Sequence, residues 1–142
     1  MAVESTPEVL SQDIRSFLSA IPRYATIATV NPDGSPHQTV IWFLMRGDWL
    51  VVNSRHGRRW PSNLRREGRA NVCVYQAEDA VTVDCAVERE YEGEEAQADI
   101  AAMALRYDTP DVAVGEIDRY RTERRLSFIL RPTRVRVHGD PR

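Results

Sequence analysis

Lysine is missing from this chain: of its 142 residues nineteen are basic, and every one of them is arginine. That excludes a Schiff-base lysine and a phosphate-loop lysine. Cysteine is scarce. Cys73 and Cys85 both lie in apolar, strand-like runs. They read as buried free thiols of a reducing cytoplasm, with a disulfide or metal pair as the alternative. Histidine is as sparse, and His37, His56 and His138 lack ligand spacing, so no metal site is expected. No apolar run approaches the roughly 20 residues that cross a bilayer. The opening Met1-Ala2-Val3-Glu4-Ser5 lacks the basic-then-apolar order of a secretory signal. A cytoplasmic protein without membrane contact is expected. No nucleophile stands at workable spacing from a histidine and a carboxylate, so a hydrolase has no footing.

The charge that is present is unevenly spread. The formal net charge is -2, which argues against a general nucleic-acid binder. Yet Arg55, Arg58, Arg59, Arg65, Arg66 and Arg69 crowd one stretch opposed only by Glu67, and an acidic run from Glu78 to Asp99 follows. A compact basic island on an acidic protein suggests a local anion site. The acidic run reads as a solvated hairpin and helix start.

Periodicity divides the chain into one domain, 1–142. Residues 6–20 read as helical, with Thr6 as cap and Pro7 in the first turn; a start at Ser11, with the first ten residues loose, fits equally well. Tyr24–Val30 is a β-branched strand, and Asn31-Pro32-Asp33-Gly34 is a hairpin turn. The returning strand is expected over Pro36–Met45, followed by a turn at Arg46-Gly47-Asp48 and a third strand over Trp49–Ser54, two hairpins forming a meander. A short helix over 58–67 ends near Gly68. Strands are expected at 70–77 and 80–91, and helices over Glu94–Tyr107 and 111–123. The last strand runs from Leu126 through Val137, with Pro132 at a break or edge. About six antiparallel strands in so short a chain are expected to close into a small barrel, a mainly β (α+β) fold with peripheral helices.

The segment best suited to chemistry is Asn53-Ser54-Arg55-His56-Gly57-Arg58-Arg59-Trp60-Pro61-Ser62-Asn63. It leaves a strand, crosses a glycine and enters a helix. Open backbone N–H groups, a serine hydroxyl and guanidinium forks converge there, a combination that suits a phosphate. A solvated basic loop with a capping serine is the competing reading. Trp42 and Trp49 read first as barrel-wall aromatics, and Tyr107 and Tyr120 as helix packing or as side chains reaching across a dimer.

Taken together, Ala25–Val30, Pro32–His37, Ile41-Trp42-Phe43 and Gly57 through Asn63-Leu64-Arg65-Arg66 resemble the pyridoxamine 5'-phosphate oxidase-like superfamily. Within it, the nearest resemblance is to the oxidoreductases that use the deazaflavin coenzyme F420. The resemblance is clear over about residues 11–91. It implies a six-stranded split β-barrel that binds FMN or F420 as a homodimer, with cofactor at the subunit interface. Ser54, Arg58 and Arg59 match its phosphate-gripping turn, and Asn63 matches the asparagine opening the next helix. His37, Gln38, Thr39 and Val40, running on to Trp42, match the wall beside the tricyclic ring. Trp60 departs from it, standing where many relatives place a lysine; Arg55, Arg58 or Arg59 would supply the missing charge beside Asn53. The activity implied is hydride transfer between reduced F420 and a small organic acceptor. An FMN-dependent oxidase of the pyridoxamine-phosphate type and a non-catalytic cofactor carrier are the alternatives.

Overall fold

A computed structural model describes residues 9–142. Helix α1 (Gln12–Ser19) starts at the later of the two expected positions: the Ser11 hydroxyl accepts from the Ile14 N–H at 3.3 Å. The Thr6 start lies outside the described residues. Strands β1 (Ala25–Val30) and β2 (Pro36–Ile41) form the expected hairpin. Its turn is closed by the Gly34 N–H on the Asn31 carbonyl at 2.9 Å, with Gly34 at φ +88°. That dihedral is open to glycine and costly for most other residues.

The expected single strand over 36–45 is two strands. β2 stops at Ile41, and a short β3 (Leu44–Arg46) begins after Trp42 and Phe43. β3 pairs with β4 (Trp49–Arg55), and β4 pairs on its other side with the last strand, β7 (Arg125–His138). With β5 (Arg69–Gln76) and β6 (Asp79–Glu92), seven strands make one antiparallel sheet in the order β2-β1-β5-β6-β7-β4-β3. The expected count of six and the expected meander are therefore corrected, because β2 and β4 do not pair. Nor does the sheet close into a barrel. Its two edge strands are adjacent in the chain, and three Cα steps reach at most about 11 Å. The sheet must roll until the edges meet, and they meet without a ladder between them.

The last residue of α3 (Glu94–Tyr107) accounts for the gap. The Tyr107 hydroxyl accepts from the Phe43 N–H at 3.3 Å and donates to the Arg23 carbonyl at 2.6 Å. Backbone groups that would otherwise seek a strand partner are satisfied by this side chain. Phe43 turns into the core and Trp42 stacks on the Tyr107 ring, with centroids 5.2 Å apart and planes 11° apart. The break at Trp42-Phe43 is thus a built feature.

Alternation along β4 and β7 creates two cores. Leu50 and Val52 on β4, with Leu126, Phe128 and Leu130 on β7, face the barrel interior, where α1 contributes Phe17 and Leu18. Val51 and Ile129 face outward against Ala96, Ile100, Met103 and Ala104 of α3, with Ala113 and Tyr120 of α4 (Pro110–Tyr120) behind them. Small alanines let α3 approach the sheet closely. β7 runs unbroken through Pro132, because the register shifts there and the missing N–H falls at a bulge. On the same outward face, at the β2–β1–β5 end of the sheet, Val40 and Tyr75 are exposed, and Thr26, Ala28 and Cys73 are half-buried.

Candidate functional site

β4 ends at Arg55, and the chain crosses Gly57, at φ +92°, into α2 (Arg59–Glu67). Arg58 is the N-cap of α2 and makes no side-chain capping bond. Trp60 follows in the first turn and packs into the barrel core near Phe128. This corner opens on a cleft of about 480 Å³. Four parts make its wall. Tyr24, Val40 and Trp42 form an aromatic and apolar side; Ile100 and Met103 of α3 form a floor; Glu116, Arg119 and Tyr120 of α4 form a rim. The fourth part is a basic end made of Asn53, Arg55, Arg58, Glu123 and Arg125, with Trp60 beside it.

The residues marked in the sequence fall into two groups. Val40, Asn53, Arg55, Arg58 and Trp60 line the cleft. Ser54 is buried in the next position of β4, its hydroxyl without a partner among the described residues. Elsewhere, His37 and Thr39 lie half-buried on β2 and contact each other at 3.2 Å, and Gln38 is exposed between them. Arg59 is exposed near Asp33, whose carboxyl is held below its ordinary value first by the Ser35 hydroxyl and more weakly by the Arg59 charge. Asn63 is buried against β1, donating to the Thr29 hydroxyl at 3.1 Å and the Asn31 side-chain oxygen at 3.0 Å.

Arg125 is the residue the sequence reading missed. It is 8 % exposed and opens β7 directly opposite Arg55 on β4. Its Nε donates to the Asn53 side-chain oxygen at 2.9 Å and its Nη1 to Glu123 at 3.0 Å, and its guanidinium lies 4.7 Å from the Tyr120 ring centroid. Among the described residues its side-chain hydrogen bonds run from Nε and Nη1, and none runs from Nη2. Burial pushes this guanidinium below its ordinary value and the Arg58 charge adds to the effect, while Glu123 opposes it. One signal was available in the sequence: a charged residue opens the otherwise apolar run Leu126–Leu130.

A buried polar relay holds Arg125 in place. Asn53 Nδ2 donates to the Ala96 carbonyl at 3.0 Å and to the Ser127 hydroxyl at 2.9 Å. Ser127 donates to Asp99 at 2.8 Å, and Asp99 also accepts from Tyr91 and, at 2.8 Å, from Arg46. The Tyr91 hydroxyl is pushed up by burial first and by Asp99 second. The chain of bonds therefore runs from the β3–β4 hairpin through α3 to the cleft. A site supported in this way is preorganised.

Two buried polar atoms of the lining lack partners among the described residues, the Trp60 indole N–H and one Glu116 oxygen. Burial, and then the neighbouring Asp108 carboxyl, raise the Glu116 carboxyl above its ordinary value. Four arginines and two glutamates make the lining net positive. An aromatic wall beside a basic end suits a ligand with a flat ring and an anionic tail. No histidine lines the cleft, and among the described residues no cluster of three or more potential ligands could hold a metal ion. No described helix is long and apolar enough to cross a membrane.

Comparison with known proteins adds to this geometry. A family model described as pyridoxamine 5'-phosphate oxidase matches residues 10–139. No curated protein matches the sequence. Among solved structures, one described as "F420 Reductase" has a TM-score of 0.68 at 22% identity, covering 92% of this chain and 98% of that one. A conserved hypothetical protein from Mycobacterium tuberculosis gives 0.74 at 19% identity, covering 97% and 91%. The heme storage protein HutZ from Vibrio cholerae gives 0.66 at 19% identity, covering 92% and 96%.

Proposed function

Because the chain belongs to the pyridoxamine 5'-phosphate oxidase family, whose split barrel binds flavin-type cofactors, we propose that its cleft holds the deazaflavin F420 and that the protein is an oxidoreductase acting on a small organic acceptor. One observation carries the reading: Trp42, backed by the Tyr107 ring stacked on it, lines the same cleft as the basic corner. A tricyclic ring needs the first and a phosphate the second. When bound, the cofactor supplies the hydride chemistry. The protein's residues then have four tasks. Arg58 and Arg125 hold the phosphate, Trp42 and Tyr24 flank the ring, and Ile100 and Met103 exclude water beneath it. An orphaned donor of the lining, the Trp60 indole N–H, fits an acceptor-rich ligand.

A second copy of the chain belongs to the same proposal. Val40 and Tyr24, at 66% and 56% exposure, both line the cleft, and Val40 continues into the open sheet face that carries Tyr75. A partner laid on that face would bury apolar surface and wall off the cleft's open side. FMN is the second reading, favoured by the same corner, because either cofactor brings a ring and a phosphate. The deciding experiment titrates pure protein with oxidised F420 and, separately, FMN, following quenching of cofactor fluorescence, and measures mass in solution. Saturable F420 binding by a dimer is expected, with oxidation of reduced F420 on adding a quinone-like acceptor. Tighter binding of FMN would transfer the proposal to that cofactor; no saturable binding of either would end it.

A further inference from the structure

Arg55 and Arg125 stand directly opposite one another across β4 and β7. Like charges at paired positions destabilise a sheet unless something intervenes. Glu123 intervenes. One of its carboxylate oxygens lies 3.0 Å from Arg125 Nη1 and the other 3.8 Å from Arg55 Nη1. A single carboxylate thus serves two guanidinium groups, closely on one side and loosely on the other. Arg58 lies near enough to depress Arg125. These three arginines and one glutamate leave two positive charges uncompensated at the basic end.

We infer that Glu123 is a resident counter-ion occupying the place of the ligand's phosphate, and that binding exchanges its carboxylate for that phosphate on Arg55 and Arg125. The inference rests on the reading that the cleft takes a phosphate-bearing cofactor, and it names the residues that select the phosphate. The exchange requires little motion. Glu123 sits in the turn between α4 and β7, its carbonyl held by Gln97 Nε2 at 3.2 Å and its N–H donating to the Tyr120 carbonyl at 3.0 Å. A change of side-chain rotamer suffices to free both arginines. Arg125 stays where it is, because Asn53 grips its Nε and Tyr120 lies under its plane. With Nη1 released beside Nη2, it presents a two-pronged edge of the kind that binds phosphate oxygens in pairs. The incoming group must outcompete a carboxylate already held by two arginines. A phosphate has more acceptor oxygens and, as a monoester, up to about twice the charge, whereas a carboxylate offers nothing that Glu123 does not. The corner is therefore selective for phosphate.

Two conservative variants test the exchange with ligand pairs that differ by the phosphate: FMN against riboflavin, and F420 against its phosphate-free deazaflavin core. Glu123→Gln keeps the shape and removes the competing charge. Its affinity for the phosphorylated member should rise several-fold while the phosphate-free member is unchanged. Arg125→Lys keeps a charge and an apolar stem and loses the fork. It should lose about tenfold in affinity for the phosphorylated member alone. Unchanged or weakened phosphate-ligand binding in Glu123→Gln overturns the inference, as does a parallel loss for both ligands in Arg125→Lys. Should the wild-type protein bind no flavin of either kind, the cofactor reading fails separately. Inorganic phosphate then remains as probe, with acetate as control. A rise in Tm with phosphate, larger in Glu123→Gln and absent in Arg125→Lys, supports the exchange, and no rise in any variant refutes it.

Discussion

Two asparagines make the same three bonds in two corners of the fold. Asn63 Nδ2 donates to two side-chain oxygens of β1 and its turn, and its Oδ1 accepts from Arg66 at 3.0 Å. Asn53 Nδ2 donates to Ala96 and Ser127, and its Oδ1 accepts from Arg125 at 2.9 Å. The corners differ in what the arginine does next. Arg66 goes on to bond the Val30 carbonyl and lies out toward solvent beside Glu67. Arg125 is buried, faces another arginine, and keeps a donor edge open to the cleft. One corner is a closed joint between α2 and β1. The other holds three arginines against one glutamate, the excess charge on which the proposed anion site rests. A saturated buried polar cluster signals structure, and an unsaturated one with an excess of one charge is a candidate ligand site.

The contrast is tested most severely by removing each amide. Asn53→Ala and Asn63→Ala should each cost about 2 kcal/mol of stability, or roughly 4 to 8 °C in Tm for a chain of this size. Only Asn53→Ala should also weaken cofactor binding, by about tenfold, because Arg125 loses the bond that aims it. Equal losses of affinity in both variants would erase the distinction. The next effect separates neighbours in sequence. Arg58→Ala should weaken cofactor binding about tenfold, or ~1.4 kcal/mol, whereas Arg59→Ala, whose side chain lies outside the cleft, should stay within about twofold. Titration of both variants reads this directly.

The smallest effect concerns the cost of leaving a corner unfinished. The Glu116 carboxyl is raised above its ordinary value by burial and by Asp108. A raised carboxyl binds its proton more tightly in the folded state. Its stabilising contribution is full below the unfolded value near 4.5 and is lost as pH rises through the folded value. Glu116→Gln should therefore match the wild type in Tm at acid pH and exceed it slightly at pH 7, by a degree or two. A variant less stable than wild type at pH 7 would show that the ionised carboxylate is held by favourable contacts.

Legibility followed range. The Asn31–Gly34 turn, the Ser11 start of α1, the Gly68 stop of α2 and the alanine-rich α3 were readable because capping and turn preferences act within a few residues. Arg55, Arg58 and Asn53 were readable as part of one basic segment leaving a strand. Arg59 and Asn63 belonged to the same segment, yet the path of α2 directs them to other surroundings. The break at Trp42-Phe43 was not readable, since the strand pattern continues through it. A tyrosine far along the chain supplies the bonds that make it possible.

The sequence by itself determined most of the elements, their turns and the presence of a basic island, because those depend on side-chain periodicity and on local backbone preference. Tertiary structure alone decided that the sheet stays split at its meeting edges and that Arg125 and Glu123 join Arg55 and Arg58. Strand pairing brings those groups together across the sheet, and only at that distance do their charges and their shared burial act on one another.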